Sequence, residues 1–200
     1  MKSRNVKEMM VPLAEYATVP ETATLLDAVK ALRKAQAAFD QHRHRHRAIL
    51  VIDDANHIVG KISQHDVIEA LEPNYKEMRH QTEDGSIHRL GLSDAYFKKS
   101  LEQYHLWEKA LEGLCRKAAD LKVKQIMYSP VKGEFVSESA TMDEAIHRLI
   151  IGRHHSLLVT SDRDPSQIVG ILRLSDVFEF VDDSLLECAL PTNVAYDNLG

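Results

Sequence analysis

An internal duplication constrains the fold of this chain more than any other feature of its sequence. Residues 6–10 (VKEMM) correspond to residues 123–127 (VKQIM), and residues 19–25 (VPETATL) correspond to residues 136–142 (VSESATM). Further matches follow in the same order, namely 48–51 (AILV) with 156–159 (SLLV) and 58–60 (IVG) with 168–170 (IVG). Matches in a constant order mean that one supersecondary unit occurs twice. The fold must therefore contain two similar halves.

Each copy predicts the order β-α-β-β-α. A short strand ends near Val19 or Val136, and apolar residues then recur at helical spacing. Two further strands and a second helix complete each unit; we predict them at 48–52, 57–62 and 64–71, and at 156–160, 167–172 and 174–181. The chain is therefore predicted to be an α/β protein of two tandem repeats, at residues 1–72 and 122–187.

The segment between the repeats, residues 73–121, is predicted to be a helical insert. Its first part, through residue 86, has the composition of a loop, and Ser93 or Asp94 can cap one helix of about seven turns. Apolar residues form a stripe along this helix. They recur at alternating spacings of three and four, at Tyr104, Trp107, Leu111, Leu114, Ala118 and Leu121. Such a stripe suits packing on the protein's own repeats or a subunit interface. Residues 188–200 are predicted to form a flexible tail.

Composition limits the compartment and the partners. A formal net charge of −5 argues against nucleic acid or an anionic membrane as the main partner, because both require clustered positive charge. Two cysteines, Cys115 and Cys188, are too few for a disulfide framework and suit a reducing compartment. The N-terminus shows no apolar signal segment, and no apolar run is long enough to span a bilayer. We therefore expect a cytoplasmic protein.

The residues at the start of each final helix resemble a known ligand motif. Residues 60–66 (GKISQHD) contain a glycine, a hydroxyl residue three positions later and an aspartate after three more. This pattern, together with the Val-Lys-x-x-Met openings, resembles the cystathionine-beta-synthase (CBS) domain family, whose domains share the β-α-β-β-α order and occur in pairs. Residues 170–176 (GILRLSD) retain the glycine and the aspartate, but Arg173 replaces the hydroxyl residue.

The resemblance implies two CBS repeats related by a pseudo-twofold axis, with ligand clefts between them. It also implies an adenosine-containing ligand such as AMP, ADP, ATP or S-adenosylmethionine, and no metal. We expect a homodimer that regulates an effector protein which the sequence does not name. No Walker loop, dinucleotide-binding glycine motif or hydrolase motif is present, so we expect no catalysis. The alternative is a nucleotide-free scaffold that docks a partner through the insert helix.

Ser63 and Asp66 are the main site candidates in the first repeat. An aspartate one turn into a helix can accept hydrogen bonds from ribose hydroxyls, and a helix N-terminus suits a phosphate. The same two residues at the same spacing would also form a capping box. In the second repeat, Asp176 is the counterpart, and Arg173 could bind a phosphate or pair with Asp176 instead.

By position, the resemblance places further pocket residues just before the central strands. They are His46, Arg47 and Ala48 in the first repeat and His154, His155 and Ser156 in the second, with Thr18 from the matching opening stretch. Arg45, Arg47 and Arg153 are the phosphate candidates. For the run His42-Arg43-His44-Arg45-His46-Arg47 three interpretations remain open: a solvated basic turn, a phosphate-binding segment, or a metal site of His42, His44 and His46.

Overall fold

Two small β-sheets, one for each repeat, organise the chain in the computed structural model, which describes residues 4–38, 47–81 and 93–189. In the first repeat the elements are β2 (Thr18–Pro20), α2 (Leu25–Ala38), β3 (Ala48–Ile52), β4 (Ile58–Ser63) and α3 (Gln64–Leu71). Strand β3 lies at the centre, parallel to β2 and antiparallel to β4. The predicted β-α-β-β-α order is therefore confirmed for this repeat.

The second repeat has the same order and the same register. Its elements are β5 (Phe135–Ser137), α8 (Met142–Gly152), β6 (Ser156–Thr160), β7 (Ile168–Arg173) and α9 (Leu174–Ala189). Val136 pairs with Val159 as Val19 pairs with Val51. A further strand, β1 (Val11–Pro12), lies antiparallel to β7 and completes the sheet order β1-β7-β6-β5.

The two openings exchange places. Helix α1 (Val6–Met9) packs with the second repeat, where Val6 is fully buried in a core that includes Leu157 and Leu172. Helix α7 (Val123–Ile126) packs with the first repeat, where Val123 is fully buried in the core. Each opening is therefore part of the core of the repeat that it does not precede directly.

Matching hydrogen bonds and ion pairs hold the exchanged openings. The Val6 amide donates to the Ala140 carbonyl at 3.0 Å, and the Val123 amide donates to the Ala23 carbonyl at 2.9 Å. Two ion pairs occupy equivalent places, Lys7 with Glu138 at 2.7 Å and Lys124 with Glu21 at 3.1 Å.

Because of this exchange, the compact units of the structure do not follow the linear boundaries 1–72 and 122–187. One unit, here called the first-repeat unit, comprises the described residues between 17 and 130. The other, the second-repeat unit, comprises the described residues 4–16 and 131–189. A linear reading of the sequence assigns residues 4–16 to the first repeat, whereas their backbone and core contacts lie with the second.

The described residues of the insert, 73–81 and 93–121, contain three helices, and the prediction of a single long helix is wrong. They are α4 (Asn74–Gln81), α5 (Asp94–Gln103) and α6 (Leu111–Ala119). Helix α4 replaces the start of the predicted loop, while residues 82–86 lie outside the described residues. Helix α9 runs through Cys188 to Ala189, which corrects its predicted end at 181 and the predicted start of the tail; residues 190–200 lie outside the description.

Tertiary hydrogen bonds explain the break between α5 and α6. His105 and Trp107 have positive φ angles of 53° and 60°, which end a helix. The Trp107 amide donates to the buried Glu72 carboxylate at 2.9 Å, and the Asn74 side chain donates to the Tyr104 carbonyl at 3.1 Å. These partners lie 30 and 35 positions away in the sequence, so the stripe alone could not indicate them.

Part of the apolar stripe does pack internally. Ala118 of α6 is buried against Leu25 and Ala70 of the first repeat, and Leu114 is buried as well. Leu111 is largely exposed. Within the described residues, packing on the first repeat therefore accounts for the C-terminal half of the stripe.

Candidate functional site

Ser63 and Asp66 lie at the junction of β4 and α3. Ser63 is the N-cap of α3, with extended backbone angles. Both its amide and its hydroxyl donate to Asp66 Oδ2 at 2.7 Å, and the Asp66 amide donates back to Ser63 Oγ at 3.3 Å. The structure thus has the capping box that the sequence allowed.

The capping box uses only one oxygen of the Asp66 carboxylate. All the hydrogen bonds between this side chain and other described residues end on Oδ2. A carboxylate oxygen offers two acceptor positions, so Oδ1 keeps its capacity for a ligand hydroxyl. The capping box therefore does not by itself exclude a ligand contact at Asp66.

The backbone brings Arg47 and Ala48 to the same junction. The Gln64 amide, at the start of α3, donates to the Arg47 carbonyl at 3.1 Å, and Ala48 pairs with Ser63 across the sheet. The Arg47 side chain is exposed. Four of the predicted residues, Arg47, Ala48, Ser63 and Asp66, are thus placed around one helix N-terminus.

Thr18 lies further along the same sheet. It is an exposed residue of β2, in register with Leu50 of β3, which is two positions beyond Ala48. The described hydrogen bonds do not connect Thr18 to the Ser63–Asp66 junction. Arg45 and the histidines at 42, 44 and 46 lie outside the described residues.

The corresponding junction in the second repeat is arranged differently. Arg173 ends β7, and its guanidinium donates to both oxygens of Asp176, from Nε to Oδ2 at 2.6 Å and from Nη2 to Oδ1 at 2.5 Å. The Arg173 residue is only 7% exposed. Of the two interpretations of Arg173, the structure therefore has the ion pair with Asp176.

Tyr16 joins this ion pair, although the sequence did not single it out. It follows the short 3₁₀ turn Leu13–Glu15 and is 8% exposed. Burial raises the pKa of the Tyr16 phenol, while the neighbouring Arg173 guanidinium, also its hydrogen-bond partner, acts in the opposite direction. Comparing the two copies gives the signal that could have found it, because the counterpart of Tyr16 in the second opening is Gly133.

The Arg173 guanidinium stays charged. Burial by itself would lower the pKa of Arg173, but hydrogen bonds and charge from Asp176 outweigh burial and raise that pKa above its ordinary value. A buried cation is tolerated here because a bidentate carboxylate compensates for its lost hydration.

The remaining candidates of the second repeat lie between the end of α8 and the start of β6. The Leu174 amide donates to the His155 carbonyl at 3.0 Å, and Ser156 pairs with Arg173 across the sheet, as Ala48 does with Ser63. Arg153 caps α8 in a left-handed conformation and is exposed. Its backbone ends the helix, and its side chain is free to reach solvent.

Among residues 4–38, 47–81 and 93–189, no three histidine, cysteine, aspartate or glutamate side chains are grouped as metal ligands. None of the helices in the described part of the chain is long and apolar enough to cross a membrane.

Comparison with known proteins decides the family. The model of the CBS domain matches residues 6–73 and 123–183, well over half of the sequence. The chain belongs to the CBS domain family. Both matches include a complete β-α-β-β-α unit, so this CBS chain is a tandem pair, which confirms the prediction from the sequence. No match was found among curated proteins.

Solved structures share the fold of this CBS pair at low sequence identity. CBSX2 from Arabidopsis thaliana is 17% identical, with a TM-score of 0.56 over 92% of this chain and 99% of the other. A CBS domain-containing protein of unknown function from Bacillus anthracis is also 17% identical, with a TM-score of 0.55 over 90% and 94% of the two chains. CBSX2 in complex with AMP gives 17% identity and a TM-score of 0.54 over 90% and 98%. CBS-pair proteins of this kind are regulatory modules.

Proposed function

We propose that this CBS pair is a ligand-sensing regulatory module that binds an adenosine nucleotide at Asp66 of the first repeat. The observation that carries the proposal is the geometry of the Asp66 carboxylate, whose Oδ2 accepts both Ser63 hydrogen bonds while Oδ1 keeps its acceptor capacity. A carboxylate held in this way can accept hydrogen bonds from a ribose hydroxyl. The adenosine ligand class is supported by the AMP complex of a protein with the same fold.

Positive charge near this carboxylate supports a ligand that carries phosphate. The N-terminus of α3 presents the positive end of the helix dipole. Arg47 adds an exposed guanidinium, and its backbone is joined to the first residue of α3. A guanidinium can bind phosphate oxygens in a bidentate manner. AMP, ADP and ATP therefore fit better than a ligand without phosphate, and S-adenosylmethionine becomes the discriminating competitor.

Regulation by this module depends on two conformations of the protein and not on a chemical reaction. A nucleotide regulates only if it binds one conformation better than another, and an effector protein must distinguish the two. We propose a cytoplasmic homodimer without catalytic activity as the acting form. The alternative is a scaffold that binds no nucleotide and docks its partner through exposed insert residues such as Phe97 and Leu111.

Isothermal titration calorimetry with AMP, ADP, ATP and S-adenosylmethionine tests the proposal. The wild-type chain should bind at least one of the phosphate ligands, and Asp66→Ala should weaken binding at least tenfold, because a hydrogen bond to a charged group contributes about 1.5–3 kcal/mol. The absence of heat with all four ligands, or an undiminished affinity of Asp66→Ala, would overturn the proposal. A silent wild type would favour the scaffold.

Asp27→Ala is the matched control. Thr24 and Asp27 form the same capping arrangement at the start of α2, with Thr24 Oγ1 donating to Asp27 Oδ2 at 2.7 Å. Both variants lose an aspartate from the first turn of a helix in the same repeat. If Asp27→Ala weakened nucleotide binding as much as Asp66→Ala, the effect would come from lost capping and not from a lost ligand contact.

A further inference from the structure

The two repeats differ at the residue that precedes their final helix. Ser63 donates to one oxygen of Asp66, whereas Arg173 engages both oxygens of Asp176. A ribose hydroxyl needs a carboxylate oxygen with a suitable acceptor direction. In the second repeat, the fork of the Arg173 guanidinium takes one acceptor position on each oxygen, on the side of the carboxylate where the two adjacent hydroxyls of a ribose would bind.

The ion pair is buried as well as bidentate. The side chains of Arg173 and Asp176 are 9% and 14% exposed, so water has little access to the two charged groups. A ligand that displaced Arg173 would have to leave a buried guanidinium without its carboxylate, and such a charge is strongly unfavourable. The pairing is therefore not an adaptable surface contact.

Tyr16 covers the same ion pair from the chain's opening. Its phenol is hydrogen-bonded to Arg173 and lies near Asp176, and its residue is 8% exposed. The segment that delivers Tyr16 is anchored to the strand that carries Arg173, because Val11 pairs with Ile171. Tyr16, Arg173 and Asp176 are thus held together by the sheet of one compact unit.

We propose that the second repeat carries a self-occupied ligand site, in which Arg173 takes the place of a ligand on Asp176, so that each chain binds nucleotide only at Asp66. This inference rests on the proposed function for the first repeat and specifies its stoichiometry. It makes Arg173 the residue that determines which repeat senses the ligand. The second repeat then does not respond to the nucleotide, because Arg173 permanently occupies its site.

Opening the site by mutation tests this inference. Arg173→Ser recreates the Ser-x-x-Asp arrangement of residues 63–66 and frees one oxygen of Asp176. In an Asp66→Ala background, which lacks the first site, Arg173→Ser should restore binding of the same nucleotide by calorimetry. The double variant Arg173→Ser/Tyr16→Ala is measured in the same background, in case the phenol alone keeps the site closed. Arg173→Lys is the control, since its ammonium still pairs with Asp176 and should restore nothing.

Circular dichroism and urea unfolding show which variants are folded. The number of nucleotides bound per wild-type chain, measured by calorimetry, is a second test that needs no mutation. The expected result is one nucleotide per wild-type chain and a gain of binding in the Arg173→Ser backgrounds. Two nucleotides per wild-type chain, or folded Arg173→Ser variants that gain no binding with or without Tyr16, would overturn the inference. A wild type that binds nothing contradicts the proposed function instead, and gained binding in Arg173→Ser would still support the self-occupied site.

Discussion

Ser63 and Arg173 end corresponding strands of the two repeats, and each donates a side-chain hydrogen bond to the aspartate three positions later. The serine hydroxyl leaves half of its aspartate available, while the guanidinium uses both oxygens of the other. One difference in side-chain reach and charge therefore separates a carboxylate with one oxygen engaged by its neighbour from a carboxylate with both oxygens engaged. The duplicated fold keeps the backbone of both junctions alike. The side chain at position 63 or 173 therefore determines how many oxygens of the aspartate accept its hydrogen bonds.

We predict that Gly170→Ala destabilises the chain more than Gly60→Ala. A Cβ at Gly170 would lie 2.7 Å from the Val11 carbonyl oxygen, which belongs to a paired strand. A Cβ at Gly60 would meet the Met127 side chain, with Sδ at 2.6 Å, and this flexible side chain can move. Urea unfolding should show a loss of about 1–3 kcal/mol for Gly170→Ala and a smaller loss for Gly60→Ala. Equal losses of unfolding free energy would contradict this prediction, because they would mean that the backbone of β1 moves as easily as the Met127 side chain.

The buried carboxylate of Glu72 is predicted to hold the break in the insert. It is 5% exposed and accepts hydrogen bonds from the amides of Asn74 at 3.3 Å and Trp107 at 2.9 Å. Glu72→Ala removes two hydrogen bonds that end on a charged acceptor and should cost about 1.5–3 kcal/mol in the free energy of unfolding. Trp107 is the single tryptophan of the sequence, so its fluorescence should shift to longer wavelength as the turn loosens.

Glu108→Ala is the control for this prediction. Its carboxylate lies in the same turn and contacts His105 Nδ1 at 2.7 Å, but both side chains are largely exposed. Exposed pairs contribute little, so the change in stability should stay within about 0.5 kcal/mol. If the two variants behaved alike, the turn would not depend on the buried carboxylate.

The stability of the chain is predicted to fall at alkaline pH because of Tyr16. Burial raises the pKa of its phenol in the folded state, so the unfolded chain loses this proton first. The contribution of Tyr16 is therefore fully present below the unfolded pKa of about 10 and is lost as the pH rises above it. The wild-type free energy of unfolding should decrease by up to about 1.4 kcal/mol per pH unit more steeply than that of Tyr16→Phe. Parallel pH profiles from urea unfolding between about pH 9 and 11 would contradict this prediction.

The candidate site was predicted in outline because its parts are local in sequence. Ser63 and Asp66 are three positions apart, and a helix that starts at residue 64 must place them on one turn. Arg47 and Ala48 come to the same junction because an antiparallel pair of strands returns the chain to its starting edge. The sequence left the state of Arg173 open, since pairing and phosphate binding require the same side chain.

By itself, the sequence determined the duplication, the β-α-β-β-α order and the glycine-to-aspartate junctions, because each depends on residue types at short spacings. Tertiary structure alone decided which opening joins which repeat. Val6 and Val123 begin nearly identical motifs, so local preferences cannot distinguish their destinations, and only packing of each valine into a distant core does. The same holds for Arg173, whose ion pair with Asp176 lies next to Tyr16, a residue more than 150 positions away in the sequence. The local sequence specifies which side chains each junction has, and the tertiary structure determines which distant residues they contact.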